Sequence, residues 1–191
     1  YTKEYSDEYQ SQALIELAKK LKKKAPSINQ IKKIDIYTSH HTHFVIGTGA
    51  NDPQKMDPNA SRETLDHSIM YIFAVALEDG SWHHVKSYTK SRAKRKSTIK
   101  VWRSIKTHED KKWTKKYHDP NPKKKSFGAK VVITLKNGKK ITEQQDRADA
   151  HPYGARPFKR QDYINKFLTL IENILDKKES DRFLNTVQNL K

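Results

Sequence analysis

The 191 residues include no cysteine. Disulfides, zinc–thiolate sites and any iron–sulfur cluster ligated by this chain are therefore excluded. Glycine (6) and proline (7) are scarce enough to leave little room for low-complexity sequence. No stretch of about 18 apolar residues occurs, so nothing reads as a transmembrane helix, and no secretory signal is visible. Redox leaves the compartment open, with a reducing interior the default. The chain opens at YTKEYSDEYQ without an initiator methionine, and it is read as a mature fragment or a domain of a longer protein.

Acidic residues are also short, 22 against 39 lysines and arginines, which gives a formal net charge of +17. Such an excess raises the question of nucleic acid. The charge falls in four separate runs: KKLKKK (19–24), KSRAKRK (90–96), KKWTKK (111–116) and PKKK (122–125). None is interleaved with aromatics as a base-stacking platform requires, so neither nucleic acid nor membrane is expected as a partner. Two readings remain. The runs are solvated faces, or they form a surface that attracts a small polyanion or an acidic domain elsewhere in the protein. With 34% apolar residues the chain can bury one core, in one or at most two domains.

From Glu8 to Lys24, Leu14, Leu17, Ala18 and Leu21 recur at helical spacing, and Ala25-Pro26 stops the pattern. Ile34 and Ile36 alternate with polar neighbours and predict a strand leading into SHHTHFVIGTG (39–49). GTGANDPQKMDPNAS must be a loop, and loops of that length in compact domains are often binding loops. Ser61 to Leu77 predicts a largely buried helix ended by the glycine of EDGS. A basic helical pattern covers 90–105. Ala129, Val131, Ile133 and Leu135 then predict a strand, Asn137-Gly138 a hairpin turn and Ile141 the return strand. Two helices follow, one from about Lys159 to Leu175 and one around Phe183, Leu184 and Val187. This order predicts an α+β fold with helices segregated from a small antiparallel sheet and no βαβ unit.

On an extended backbone His41 and His43 share one face and His40 takes the other. A metal centre would need a third protein ligand, and no HExxH or suitably placed carboxylate supplies one. GTGAND lacks the third glycine of GxGxxG and the Gly-Lys-Ser/Thr of a P-loop. Polar recognition remains, because His41, His43, Asn51, Lys55, Arg62 and His67 gather donors suited to carboxylates within a short span. A histidine-rich loop without a ligand is the competing reading.

The stretch HTHFVIGTGANDPQKMDPNASRETLDHSIMYIFAVALEDGSWHHVKSY resembles the MmgE/PrpD family, and within it the branch that dehydrates 2-methylcitrate. FGAKVVITLKNGKKI and ADAHPYGARPFKRQDYINKF resemble the hairpin and C-terminal helices of the same family. The resemblance implies an α+β lid over residues 1–148, with helices in 149–191 that return to pack on a large N-terminal helical domain not present in this chain. It implies a homodimer and an active site between the domains. The activity would be hydro-lyase conversion of 2-methylcitrate to 2-methyl-cis-aconitate in propionate breakdown, without cofactor or metal, in the cytoplasm or a mitochondrial matrix. A cis-aconitate decarboxylase-like activity is one alternative, and a non-enzymatic basic module that binds nucleic acid, favoured only by the charge, is the other. By resemblance His43 and Lys3 would be catalytic and Lys55, Arg62 and His67 would bind substrate, with His41 and Asn51 added as substrate-binding residues from their local chemistry. His83 and His84 also match but read as structural. YSDEYQSQ departs from the family's FPAEFHAQ-like approach to the first helix.

Overall fold

The computed structural model describes residues 2–25 and 27–189. Helix α1 (Gln12–Lys24) buries Leu14, Leu17, Ala18 and Leu21 on one stripe and ends in Lys22, Lys23 and Lys24, where the helix dipole favours cations. A 3-10 turn at Tyr9–Ser11 precedes it, so the helix starts later than the apolar pattern implies. It closes with the Ala25 N–H bonded to the Leu21 carbonyl (2.8 Å). Pro26, the second half of the expected stop, lies outside the described residues. Strand β1 (Ile31–Thr38) then sends Ile34 and Ile36 into the core.

The histidines are not extended. Ser39 caps a short helix, α2 (His40–Val45), by accepting the Thr42 N–H at 3.2 Å. His40, His41 and His43 therefore fan around a helix instead of alternating across a strand. After the turns of the 46–61 loop, the expected buried helix is two pieces, α3 (Arg62–Asp66) and α4 (Ile69–Asp79). The break has a tertiary cause. Ser68 Oγ donates to the Lys55 carbonyl (2.7 Å), and the Ile69 N–H bonds the Ile46 carbonyl (2.9 Å) instead of the previous helical turn. Helix α4 is buried from Ile69 to Leu77 and ends, as expected, at Gly80.

The basic segment forms α5 (Lys90–Ala93) and α6 (Lys96–Arg103), and Ile105 opens a strand, β2 (Ile105–Glu109). Helix α7 (Lys111–Tyr117) follows, capped by Asp110, whose carboxylate accepts the Lys112 N–H at 2.9 Å. Strands β3 (Ala129–Leu135) and β4 (Lys140–Gln145) form the expected hairpin, with Gly138 at φ 85° in the turn. The strand order is β2-β1-β3-β4. The β1–β3 and β3–β4 pairs are antiparallel, but β1 and β2 are parallel, in the register Ile34↔Ile105 to Thr38↔Glu109. The sheet is therefore mixed, and α2 to α6 constitute a crossover the sequence pattern did not reveal. The α+β class stands: α1 and α4 cover the face of Ile34, Ile36, Val131 and Ile133. Lys33, Asp35, Tyr37, His108 and Lys130 occupy the opposite, polar face.

Glu16, buried on α1, accepts the Asp149 N–H (3.0 Å) and the Gln145 amide (2.6 Å) through Oε2. Its Oε1 has no partner among the described residues, the position a proton would occupy. Burial, with the Asp149 carboxyl beside it, pushes the pKa up to about 7. The folded value exceeds the unfolded one, so this stabilisation is complete below about pH 4.5 and is lost as pH rises through about 7. Glu16→Gln is expected to raise unfolding free energy by about 1–3 kcal/mol at pH 8.5 and hardly change it at pH 5. Urea titrations at the two pH values check this, and an identical shift at both would refute it.

The last helices, α8 (Arg160–Leu170) and α9 (Lys177–Gln188), touch through stacked Phe167 and Phe183 rings (4.9 Å). The expected helix to Leu175 stops at Leu170. Tyr163, Leu168, Ile174, Leu175 and Phe183 are left exposed, Ile174 to 73%. No helix among the described residues is long and apolar enough to cross a membrane.

Candidate functional site

The N-terminal segment, α3 and α8 meet around a hollow of about 360 Å³. Lys3, Arg62 and Lys166 supply its cations, and Asp7, Glu63 and Asp66 its acids. Lys166 Nζ donates to the Lys3 carbonyl, tying α8 to the N-terminal segment. Burial, reinforced by the Lys3 ammonium, holds the Lys166 pKa below the usual lysine range. Arg62 donates to the His84 carbonyl (3.2 Å) and lies over the Tyr88 ring at 5.0 Å.

The acids do not simply cancel these charges. Asp7 is buried, and desolvation holds its pKa well above the carboxylate range despite hydrogen bonds from Ser11 (2.6 Å) and Gln12. Asp66 accepts the Tyr88 hydroxyl. Asp7 is engaged by Ser11 and Gln12 and Asp66 by Tyr88, so Lys3, Arg62 and Lys166 leave the hollow suited to an anion. An adjoining hollow of about 270 Å³ shares Lys166 and is lined by Arg156, Trp82, His83 and His84. His83 Nδ1 accepts the Val85 and Lys86 N–H groups (3.1 and 3.2 Å), which places its proton on Nε2.

The seven site residues expected from the sequence do not share one concavity. Lys3 and Arg62 do, while His67 does not line that hollow, its Nδ1–H donating to the Glu63 carbonyl (3.0 Å). His41 stacks on Tyr117 at 5.2 Å. Asn51, left-handed at φ 51°, lines a separate shallow hollow with Met56 and Met70. Lys55 is mostly buried and pairs with Asp52 (3.5 Å). The reason is the helical turn at 40–45 and the break at Ser68, which send these side chains in different directions.

His43 is held rather than free. Its Nδ1 lies 2.6 Å from Thr107 Oγ1, which also accepts the Thr48 N–H (2.9 Å). Burial first, then the neighbouring His108 and His40, lowers its pKa, so it is a neutral imidazole at neutral pH. The GTG sequence explains the fit: a Cβ on Gly49 would lie 2.5 Å from His43 Nε2, and one on Gly47 would lie 2.7 Å from the His43 carbonyl. These glycines seat a side chain rather than a phosphate. Gly49→Ala is expected to push the ring into solvent and raise the His43 titration midpoint, read by NMR; an unmoved midpoint would contradict the packing. Lys166, Thr107 and Tyr88 escaped sequence reasoning, because only the docking of α8, the unforeseen β2 and the loop after α4 bring them to these places.

A sheet layered on one side with helices and bearing a charged hollow at its helical edge defines an α+β module. Over residues 5–191 the chain matches the MmgE/PrpD C-terminal domain. It belongs to the MmgE/PrpD family, whose members are generally lyase-like enzymes.

Proposed function

We propose that the chain is the C-terminal portion of a 2-methylcitrate dehydratase-like hydro-lyase. The observation that carries this reading is the meeting of Lys3, Arg62 and Lys166, from three separated segments, at one hollow. Arginine grips a carboxylate bidentately and lysine acts as a point charge, so together they suit a tricarboxylate. Elimination requires a base to remove a proton next to a carboxylate and an acid to protonate the leaving hydroxyl. The cations oppose the negative charge that develops on proton removal. His43, held by Thr107, is not among the residues lining this hollow, so proton transfer to a substrate held there is assigned to groups on the preceding domain of the same protein.

The apolar side chains left exposed on α8 and α9 support a docking role toward a preceding helical domain of the same protein. That domain would complete the site and, by resemblance, the enzyme would act as a homodimer. The test is an assay of the full-length protein with 2-methylcitrate, citrate and cis-aconitate. Rising ultraviolet absorbance of a conjugated product from 2-methylcitrate is expected. Decarboxylation of cis-aconitate alone would place the chain in the other branch, and no turnover of any of the three would end the proposal. One methyl group is worth only about 1–3 kcal/mol of discrimination, so slow turnover of citrate is compatible.

A further inference from the structure

We propose that a second hollow, between α7 and the loop at 119–125, binds a condensed phosphate chain, free or as the tail of a nucleotide. It is an open hollow of about 620 Å³, and every residue lining it is charged. Lys112, Lys115, Lys116, Lys123, Lys124 and Arg147 face only two acids, Asp119 and Asp146. Asp146 is taken by Lys116, and Asp119 accepts the Asn121 N–H at 2.9 Å. Lys112, Lys115, Lys123 and Lys124 have no ion-pair partner among the described residues.

This surface is built before any ligand arrives. Pro120 and Pro122 fix two backbone torsions of the loop. Asn121 accepts three N–H groups, from Lys123 at its side chain and from Lys124 and Lys125 at its carbonyl (2.9, 2.9 and 2.8 Å). Arg147 clips the loop to the sheet by donating to the Lys125 carbonyl (3.0 Å) and the Lys123 carbonyl. Ser126 ties the loop's far end to the Asp146 carbonyl (2.5 Å) and, through its N–H, to the Lys116 carbonyl (3.1 Å). Across the hollow, Lys112, Lys115 and Lys116 share one face of α7, and Lys112 and Lys116 lie over the buried Trp113 ring at 5.3 and 4.9 Å.

Like charges held this close repel one another, and a multivalent anion relieves that repulsion. The lining chooses among anions. No aromatic ring lines the hollow, which disfavours single-stranded nucleic acid. No apolar side chain could enter a bilayer. A short chain of high charge density fits an open hollow lined by charged side chains on a stiff loop.

Calorimetry on the full-length protein with tripolyphosphate, ATP, orthophosphate, an oligothymidylate and anionic vesicles tests this. Tripolyphosphate binding at 50 mM salt is expected, with affinity falling steeply by 200 mM. The pair Lys123→Gln/Lys124→Gln should weaken it by about 10-fold or more, one favourable charge contact being worth about that much. The pair Lys96→Gln/Lys100→Gln on α6 removes the same charge elsewhere and should leave binding within about two-fold, at most a surface-charge effect. ATP binding equal to tripolyphosphate would show that the chain alone is read, and tighter ATP binding would make the nucleotide the source. Equal losses in both variants, no binding at 50 mM salt, or stronger capture of the oligonucleotide or the vesicles through the same lysines would overturn the proposal.

Discussion

Replacing Arg62 by alanine in the full-length enzyme is expected to lower kcat/KM for 2-methylcitrate by about 100-fold. A bidentate, charge-assisted contact to a carboxylate contributes about 2–3 kcal/mol, and about 1.4 kcal/mol corresponds to each factor of ten. Arg62→Lys keeps the charge but not the planar fork, so it should recover only part of the loss. Arg62 is exposed, and Tyr88, the buried residue whose ring it covers, is held independently by its hydroxyl bond to Asp66. The thermal midpoint should therefore hardly move, which separates binding from folding. Steady-state kinetics with an unchanged kcat/KM would remove Arg62 from the site.

The second large effect is on stability. Arg92→Ala is expected to reduce unfolding free energy by about 3–5 kcal/mol, the range for removing one partner of a buried ion pair. Arg92 is only 5% exposed and bonds Glu78 (2.8 Å) and Asp79 (2.9 Å). Glu78, nearly buried, is held below its usual pKa by the Ser97 and Thr98 hydroxyls and by Arg92. Without the guanidinium a carboxylate stays buried and unpaired. The double variant Arg92→Met/Glu78→Gln should regain a substantial part, because a neutral, well-packed pair removes the stranded charge. Because the Glu78 pKa is depressed in the folded state, its contribution is present above the unfolded value near 4.5 and fades as pH falls below it. Urea unfolding that places Arg92→Ala within about 0.5 kcal/mol of the parent would match an ordinary surface arginine and contradict this.

Arg92 also shows where sequence reading ends. In KSRAKRK it is one cation among five and reads as part of a solvated face, yet docking α5 beside the end of α4 buries it against two acids. The apolar repeat of α1, the core alternation of β1 and β3, and the Asn137-Gly138 turn were legible because local pattern and tertiary environment agree there. Strand β2 was not, since IKTHE offers only one apolar residue and its pairing depends on a parallel partner 71 positions away at Ile34↔Ile105. Helix α7 was hidden in the same way, inside a lysine run whose Trp113 alone is buried. The histidine stretch misled through Ser39, a capping residue that turned an apparent strand continuation into a helix.

The candidate site follows the same division. Arg62 was named for its chemistry and Lys3 from resemblance, and the two do share a hollow, whereas Lys166 joins them only through the packing of α8 against the N-terminal segment. His43 was named for chemistry, and what holds it, Thr107 on β2 and the bare backbone of Gly47 and Gly49, depended on a strand not foreseen.

Hydrogen–deuterium exchange of the full-length protein with and without tricarballylate, a tricarboxylate lacking the hydroxyl to be eliminated, tests the central claim most directly. Joint protection of residues 3–7, 62–66 and 164–170 is the expected result. Protection confined to residues 39–51, or none at saturating ligand, would show that the three cations do not hold the substrate.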